Sequence, residues 1–151
     1  MPDDFAWARS VAQTIETARG AQPLVPCHND LLNANFIHDG QRIRIVDWEY
    51  AGMGDPFFDL GNFSVNHELS PEEDKWLIEA YDGEVRAPRL AWLTLMRVVS
   101  DFREAMWGVL QQAISTLDVD FVAYADEHFE RLLRNAEGPD FERRLGEAAS
   151  A

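Results

Sequence analysis

The chain has a single lysine, Lys75, and a single cysteine, Cys27, among its 151 residues. Its 27 acidic residues outnumber its 13 lysines and arginines, so the net charge is −14. No segment concentrates enough positive charge to follow a phosphate backbone, and we therefore exclude nucleic acid as a partner. The lone cysteine excludes an internal disulfide.

Long apolar runs are also missing. None approaches the roughly 20 residues of a membrane-spanning helix, and the opening Met-Pro-Asp-Asp is unlike a signal peptide. With 46% hydrophobic residues and five tryptophans, residues 1–151 can bury the core of one domain. We expect a cytoplasmic protein without a membrane span. The excess acid is compatible with a cationic substrate, although solvated acidic helix faces are the simpler explanation.

Three polar residues stand out by their spacing. Asp30 lies two residues after His28, Asn35 follows five residues later, and Asp47 ends the apolar run Ile45-Val46. The first part has the spacing H-x-D-x-x-x-x-N of a kinase catalytic loop, and a strand that ends in Asp is where a second metal ligand belongs. Phosphoryl transfer needs these residue types, namely one carboxylate to orient a hydroxyl and two oxygen ligands for magnesium.

The pattern predicts a short hairpin followed by helices. Residues 35–37 and 42–46 read as two strands around the turn Asp39-Gly40, residues 21–26 as an extended connector and residues 51–56 as a loop. Ser70 to Glu73 form a capping box with proline at the first helical position. Helices are predicted from the amino terminus to Gly20, over 57–67, 71–81 and 88–115, from Asp118 or Asp120 to Asn135, and in the polar tail.

Around the motif the chain resembles the choline/ethanolamine kinase branch of the aminoglycoside phosphotransferase superfamily. The resemblance runs from Val25 to Phe63 through H-N-D-L-L-N-A-N-F, I-V-D-W-E-Y-A-G and G-D-P-F-F-D-L-G-N-F. It implies a mostly helical α+β domain, the C-terminal lobe of a protein-kinase-like fold with a short catalytic β-hairpin. Residues 27–63 would carry the catalytic and metal loops, and residues 70–151 the helical substrate side.

The resemblance also implies roles for individual residues. Asp30 would be the catalytic base, with Asn35 and Asp47 as the ligands of Mg²⁺ bound to ATP. Glu49 would join a second metal or face the substrate, although a surface acid is an equal interpretation. Two further residues, His28 and Asp59, would brace the site without doing chemistry.

The implied reaction is ATP-dependent phosphorylation of the hydroxyl of a small amine-bearing alcohol. Choline or ethanolamine leads, and an aminoglycoside or another small-molecule acceptor is the alternative. From a different class, the alternative is a non-catalytic binding or regulatory module on the same lobe. Aromatic side chains bind quaternary amines well, but most aromatics on helices belong to the core. The candidates are Trp76, Tyr81, Trp92, Phe102, Trp107, Tyr124 and Phe129, with Asp101 and Glu104 as charge partners.

A complete kinase also needs a Gly-rich loop over the phosphates, a strand lysine and a glutamate that holds it. Only 27 residues precede His28, and Lys75 lies downstream on a predicted helix. We therefore expect the N-terminal nucleotide lobe to be absent. The chain is then a fragment of a longer kinase, which we favour, a half-protein that pairs with a separate lobe, or a non-catalytic relative. We expect negligible turnover from it alone, and self-association through the exposed lobe interface.

Overall fold

The computed structural model describes residues 2–150, with side chains from Phe5 onward. Within this range lie six α-helices and four strands of three residues each. The helices are α1 (Pro2–Arg19), α2 (Pro56–Asn66), α3 (Pro71–Asp82), α4 (Ala87–Ile114), α5 (Phe121–Ala136) and α6 (Phe141–Ala148). The strands are β1 (Val25–Cys27), β2 (Phe36–His38), β3 (Ile43–Ile45) and β4 (Gly52–Gly54). The predicted mostly helical α+β class is confirmed.

Helix α4 is the centre of the fold, because all five other helices pack against it. Glycines at the contacts between helices allow close approach. A Cβ on Gly61 of α2 would lie 2.6 Å from the backbone carbon of Met96, and a Cβ on Gly108 would lie 2.9 Å from the Tyr124 ring. Fully buried side chains fill the remaining space between the helices, the largest being Phe57, Ile15, Ile78, Leu93, Leu95 and Leu132.

The predicted hairpin is confirmed as β2 and β3, which pair antiparallel with Phe36 opposite Ile45. Asp39 closes the turn, since its Oδ1 accepts hydrogen bonds from the amides of Gln41 at 3.0 Å and Arg42 at 2.9 Å. Gly40 has a φ of 93°, a conformation that glycine adopts without the steric cost other residues carry. Asn35 itself lies in a 3₁₀ turn, Asn33–Asn35, just before β2.

The loop predicted over residues 51–56 is wrong in part. Gly52–Gly54 form β4, which pairs antiparallel with β1, so that Val25 faces Gly54 and Cys27 faces Gly52. A Cβ on Gly54 would lie 3.4 Å from both Cys27 Sγ and Asn29 Oδ1. Glycine is therefore used here for close approach of a neighbouring chain segment, which composition alone reads as a loop.

Helix ends follow local chemistry. The capping box at Ser70 is confirmed, with Gly83 in the left-handed conformation ending α3. Of the two predicted caps of α5, Asp120 is the one that accepts a hydrogen bond from the Ala123 amide. Asp55 caps α2 and also pairs with Arg19. Across residues 2–150, no helix is both long and apolar enough to cross a membrane.

We predict opposite effects for two glycine-to-alanine substitutions in helices. Gly61→Ala should lower the free energy of unfolding by about 2 kcal/mol, because the overpacking against α4 outweighs the gain in helix propensity. Gly146→Ala in α6, where a Cβ meets nothing within 4 Å, should raise it by roughly 0.5–1 kcal/mol. Urea unfolding of both variants checks the pair. A Gly61→Ala variant as stable as the parent would contradict the close α2–α4 contact.

Candidate active site

The loop that carries Asp30 leaves β1 at Cys27 and is fixed by the side chains of α2. Asp59 accepts hydrogen bonds from two successive backbone amides, His28 to Oδ2 and Asn29 to Oδ1, both at 2.7 Å. Asn62 accepts one from the Leu31 amide at 2.6 Å. The loop backbone is thus bound to one rigid helix at three of four consecutive residues, 28, 29 and 31.

Asn62 is fully buried, and its role could not be read from the sequence. Besides holding Leu31, it donates from Nδ2 to Ser100 Oγ of α4 at 3.0 Å. This bond ties the loop and α2 to the central helix of the fold. An asparagine on a predicted helix gives no signal that it satisfies a loop amide 31 residues away.

His28 connects the two halves of the site. Its ring is buried, with Nε2 2.9 Å from the Val46 carbonyl oxygen and Nδ1 3.3 Å from the Asp30 amide nitrogen. Because the amide can only donate, Nδ1 accepts and Nε2 carries the proton that it donates to Val46. The ring therefore joins the Asp30 loop to the strand end before Asp47, and neither nitrogen is left to act as a base.

Asp30 and Asn35 are in direct contact. Asn35 is buried, and its Nδ2 donates to the Asp30 carbonyl oxygen at 2.8 Å and to the Asp30 carboxylate at 3.2 Å. With Nδ2 committed to Asp30, the amide oxygen Oδ1 remains as the oxygen donor of Asn35. The Val46 amide donates to the Asn35 carbonyl oxygen at 3.0 Å, which brings the residue before Asp47 to the same place.

Asp47 has a φ of 62° and Asn29 a φ of 65°. A left-handed conformation costs a non-glycine residue about 1–2 kcal/mol, less for Asn and Asp, and such residues cluster at functional sites. Asn29 directly precedes Asp30, and Asp47 is itself one of the positions that the motif singles out. At Asp47 the turn separates the carboxylate from the strand that precedes it, and the side chain is exposed.

The donor set fits a magnesium ion carried by phosphates. An uncommitted amide oxygen of Asn35 and the exposed carboxylate of Asp47 are hard oxygen donors of the kind that Mg²⁺ takes. Among the side chains of residues 5–150, no group of three or more histidine, cysteine or acidic residues could hold a metal by itself. Mg²⁺ in proteins commonly takes its other ligands from substrate phosphates and water. Glu49 lies two residues further on and is exposed.

The structure also brings Arg103 of α4 to the site, which sequence reasoning missed. Its guanidinium lies 3.2 Å from Asp30 Oδ1 and donates to the Asn29 carbonyl oxygen at 2.6 Å. A separation of 73 residues from Asp30 leaves no local signal for this contact.

The two acids proposed as partners for a substrate amine are both committed elsewhere. Asp101 is fully buried and bonds to Arg131 and His128 of α5. Glu104, 4% exposed, bonds to Arg103 and accepts from the Tyr124 hydroxyl at 2.8 Å. Both carboxylates are therefore buried and already paired within the protein, which disfavours the predicted role as charge partners of a substrate amine.

The aromatic candidates divide by location. Trp92 is buried in the core, and its Nε1 donates to the Ala148 carbonyl oxygen. Phe102 and Phe129 pack against that core, whereas Trp76 and Tyr81 on α3 are exposed. Only Trp107 and Tyr124, whose rings lie 5.5 Å apart, belong to the group that reaches Asp30 through Glu104 and Arg103.

Two pKa shifts limit the chemistry of neighbouring groups. Burial, reinforced by the charges of Asp59 and Asp55, raises the pKa of the Cys27 thiol to about 11, so this thiol stays protonated and is no nucleophile. Burial and the adjacent Glu104 carboxylate raise the pKa of Tyr124 above its usual range. Tyr124 therefore remains a hydrogen-bond donor to Glu104.

Known proteins share this arrangement in sequence and fold. Residues 3–93 match the model of the phosphotransferase enzyme family, APH. Ethanolamine kinase 2 of Homo sapiens is 31% identical over 152 residues, which cover 87% of this chain and 38% of that protein. The chain thus spans well under half the length of this relative.

Solved structures agree with the sequence matches. A choline/ethanolamine kinase family protein from Mesorhizobium loti superposes with a TM-score of 0.89 at 34% identity, over 100% of this chain and 52% of that one. A structure of LicA in complex with AMP has a TM-score of 0.66 at 23% identity, over 84% of this chain and 45% of that one, and this second likeness shows the fold alone. The chain belongs to the phosphotransferase enzyme family, in its choline/ethanolamine kinase-like branch.

Proposed function

We propose that this chain is the catalytic lobe of a kinase that transfers the γ-phosphoryl group of ATP to the hydroxyl of a small amine-bearing alcohol. The observation that carries the proposal is the direct contact of Asn35 with Asp30, next to the strand end that presents Asp47. A base and two metal-type oxygen donors at one place are what phosphoryl transfer requires of a protein.

Asp30 would act on the acceptor. Alcohols have high pKa values, so the carboxylate orients the hydroxyl and receives its proton as the new O–P bond forms and the bond to ADP breaks. Asn35 and Asp47 would hold Mg²⁺, which when bound neutralises phosphate charge. His28 and Asp59 would keep the two loops in register, a role supported by their bonds to backbone groups on both sides of the site.

The acceptor class is inferred from the relatives, one of which is named an ethanolamine kinase and another a choline/ethanolamine kinase family protein. With Asp101 and Glu104 committed, Glu49 is the acid near the motif that is left to attract an amine, and it is equally placed to join a second metal. An aminoglycoside or another small alcohol stays the alternative acceptor. A non-catalytic module on the same lobe is the alternative from a different class.

A nucleotide lobe would complete the site. The AMP bound by LicA supports nucleotide binding in this fold, whereas this chain lacks the Gly-rich loop and strand lysine that cover the phosphates. Exposed apolar side chains lie on the segment from residue 24 to residue 53, which carries the site. Among them are Leu24, Ile43, Trp48 and Met53, which are 62%, 66%, 55% and 63% exposed. An apolar surface of this kind is typical of an interface. We infer that an upstream or separate lobe covers it.

The chain alone should have negligible turnover. Each missing electrostatic contributor commonly costs about 10²–10³ in rate, so the loss of the lysine and loop amides together should exceed about 10⁴-fold. The check is ADP release from Mg²⁺ and ATP with ethanolamine or choline. The control is a lobe-completed protein, meaning this chain preceded by a nucleotide lobe, either its own upstream sequence or the part of the Mesorhizobium loti relative that this chain does not cover. Comparable rates in the two would refute the need for that lobe.

Asp30→Asn in the lobe-completed protein should lower kcat by about 10²–10⁴, the range for loss of a general base. The nucleotide Kd should change less than about twofold, because Asp30 is not a proposed metal ligand. Asp126→Asn, which removes an exposed acid on α5, serves as the matched control and should keep full turnover. Steady-state kinetics and nucleotide titration give both quantities. Undiminished turnover in the Asp30 variant would remove this residue from the mechanism.

Asp59→Ala should loosen the catalytic loop in the chain itself. The substitution leaves the amides of His28 and Asn29 without their acceptor, at a cost of about 1–3 kcal/mol for each group that stays buried. Hydrogen exchange of these two amides should accelerate, while the Ala123 amide, capped by Asp120, should exchange as before. If the exchange rates of residues 28 and 29 do not change, Asp59 is not what holds the loop.

A further inference from the structure

We propose that Arg103 is the residue that positions the Asp30 carboxylate for the acceptor hydroxyl, and that Glu104 and Tyr124 hold Arg103 in place. The proposal rests on the proposed function, in which Asp30 is the base. It assigns a positioning role to three residues of α4 and α5 that lie outside the motif.

Arg103 binds the Asp30 loop at two points. Nη1 and Nη2 lie 3.3 and 3.2 Å from Asp30 Oδ1, and Nη1 lies 2.6 Å from the Asn29 carbonyl oxygen. Asn29 is in the left-handed conformation. One guanidinium therefore contacts both the carboxylate and the strained backbone immediately before it, and its planar array of donors suits two acceptors at once.

Arg103 is itself held by residues outside the Asp30 loop. Nη1 donates to Glu104 Oε1 at 3.0 Å, and the Tyr124 hydroxyl donates to Glu104 Oε2 at 2.8 Å. Glu104 is buried, and the guanidinium carbon lies 5.2 Å from the centre of the Tyr50 ring. A side chain held by a buried carboxylate and an aromatic face has lost its rotamer freedom. Arg103 can therefore fix the position of the Asp30 carboxylate and not only supply positive charge.

The two carboxylate oxygens of Asp30 are then anchored separately. Arg103 holds Oδ1, and Asn35 Nδ2 contacts Oδ2 at 3.2 Å, which fixes the plane of the carboxylate. A carboxylate oxygen has two lone pairs, so Oδ2 keeps one to accept the acceptor hydroxyl. A displacement of about 1 Å at such a position can cost 10²-fold in rate. Fixing this plane is therefore a direct contribution to turnover.

A structural tie between α4 and the loop would also explain the Asn29 contact. The two roles differ in what external guanidinium can do. Guanidinium that enters the space left by a shortened side chain restores a charge and donors beside Asp30, but it does not reconnect α4 to the loop. Chemical rescue of kcat therefore separates positioning from a purely structural role.

The test uses the lobe-completed protein and its Arg103→Ala, Arg103→Lys and Arg97→Ala variants. Arg97 is the matched control, because it lies on the same helix and pairs with buried Asp74 at 2.9 Å on the side of α3. We expect Arg103→Ala to lower kcat by about 10²-fold and to change the nucleotide KM by less than about twofold. Millimolar guanidinium should then raise the kcat of this variant at least fivefold. The kcat of Arg103→Lys should lie between those of the parent and Arg103→Ala. Arg97→Ala should lower Tm without a guanidinium-dependent kcat. Tyr124→Phe should lower kcat only a few-fold.

A second measurement keeps the inference independent of turnover. In this chain alone, Arg103→Ala, Asp30→Ala and the double variant are unfolded by heat. We expect the double variant to lose less Tm than the sum of the single losses, since both remove the same contact. Additive losses would overturn the proposal, as would an unchanged kcat in Arg103→Ala or a loss of kcat that guanidinium does not restore. Absence of turnover in the lobe-completed parent would instead refute the proposed function, and the Tm comparison would still decide whether the contact between Arg103 and Asp30 on which the positioning role depends is made.

Discussion

The arrangement of the site depends on one interaction, the pair of hydrogen bonds from the His28 and Asn29 amides to the Asp59 carboxylate. A carboxylate that accepts two charge-assisted bonds from consecutive amides fixes the direction of the backbone between them. That direction supports the left-handed conformation of Asn29, directly before Asp30. Asp59 can do this because α2 is itself held against α4. Gly61 allows α2 to lie against the backbone of α4, and Asn62 bonds to Ser100 on the same helix.

Charge is distributed in a way that its net value conceals. The arginines of the interior are used to tie helices together, through Arg131 with Asp101, Arg97 with Asp74 and Arg89 with Asp82. Breaking such a buried pair leaves an uncompensated charge, so these contacts specify which helices meet. The acids left without partners near the motif are Asp47 and Glu49, which lie where a cation would be bound. The net negative charge of the chain is therefore a poor guide to a cation site. The location of the unpaired acids beside the motif is the informative observation.

Features that depend on neighbours in sequence could be predicted, and those that depend on distant contacts could not. The hairpin around Asp39-Gly40 and the capping box at Ser70 are encoded within a few residues, and both were predicted correctly. The site motif has the same local character, since His28, Asp30 and Asn35 lie within eight residues. In contrast, β4 depends on the approach of Cys27 and Asn29 to Gly54. This approach cannot be read from the sequence, and two glycines in a short segment predict a loop. Arg103 is the same kind of case, because its partners at residues 29 and 30 are set by the packing of α4.

The lower half of the site is organised by contacts within this chain. His28, Asp59, Asn62 and the Asn35 amide nitrogen each bond to loop groups of the same lobe, and none of these bonds needs a nucleotide. The atoms left over are of a different kind, namely the Asn35 amide oxygen, the Asp47 carboxylate and one lone pair of Asp30. They are the groups that would contact metal and acceptor. Preorganised polar groups do not have to reorient as charge develops, which is the main source of electrostatic catalysis. In the proposed kinase, a nucleotide lobe would therefore add cover and positive charge to polar groups that this chain already holds in place.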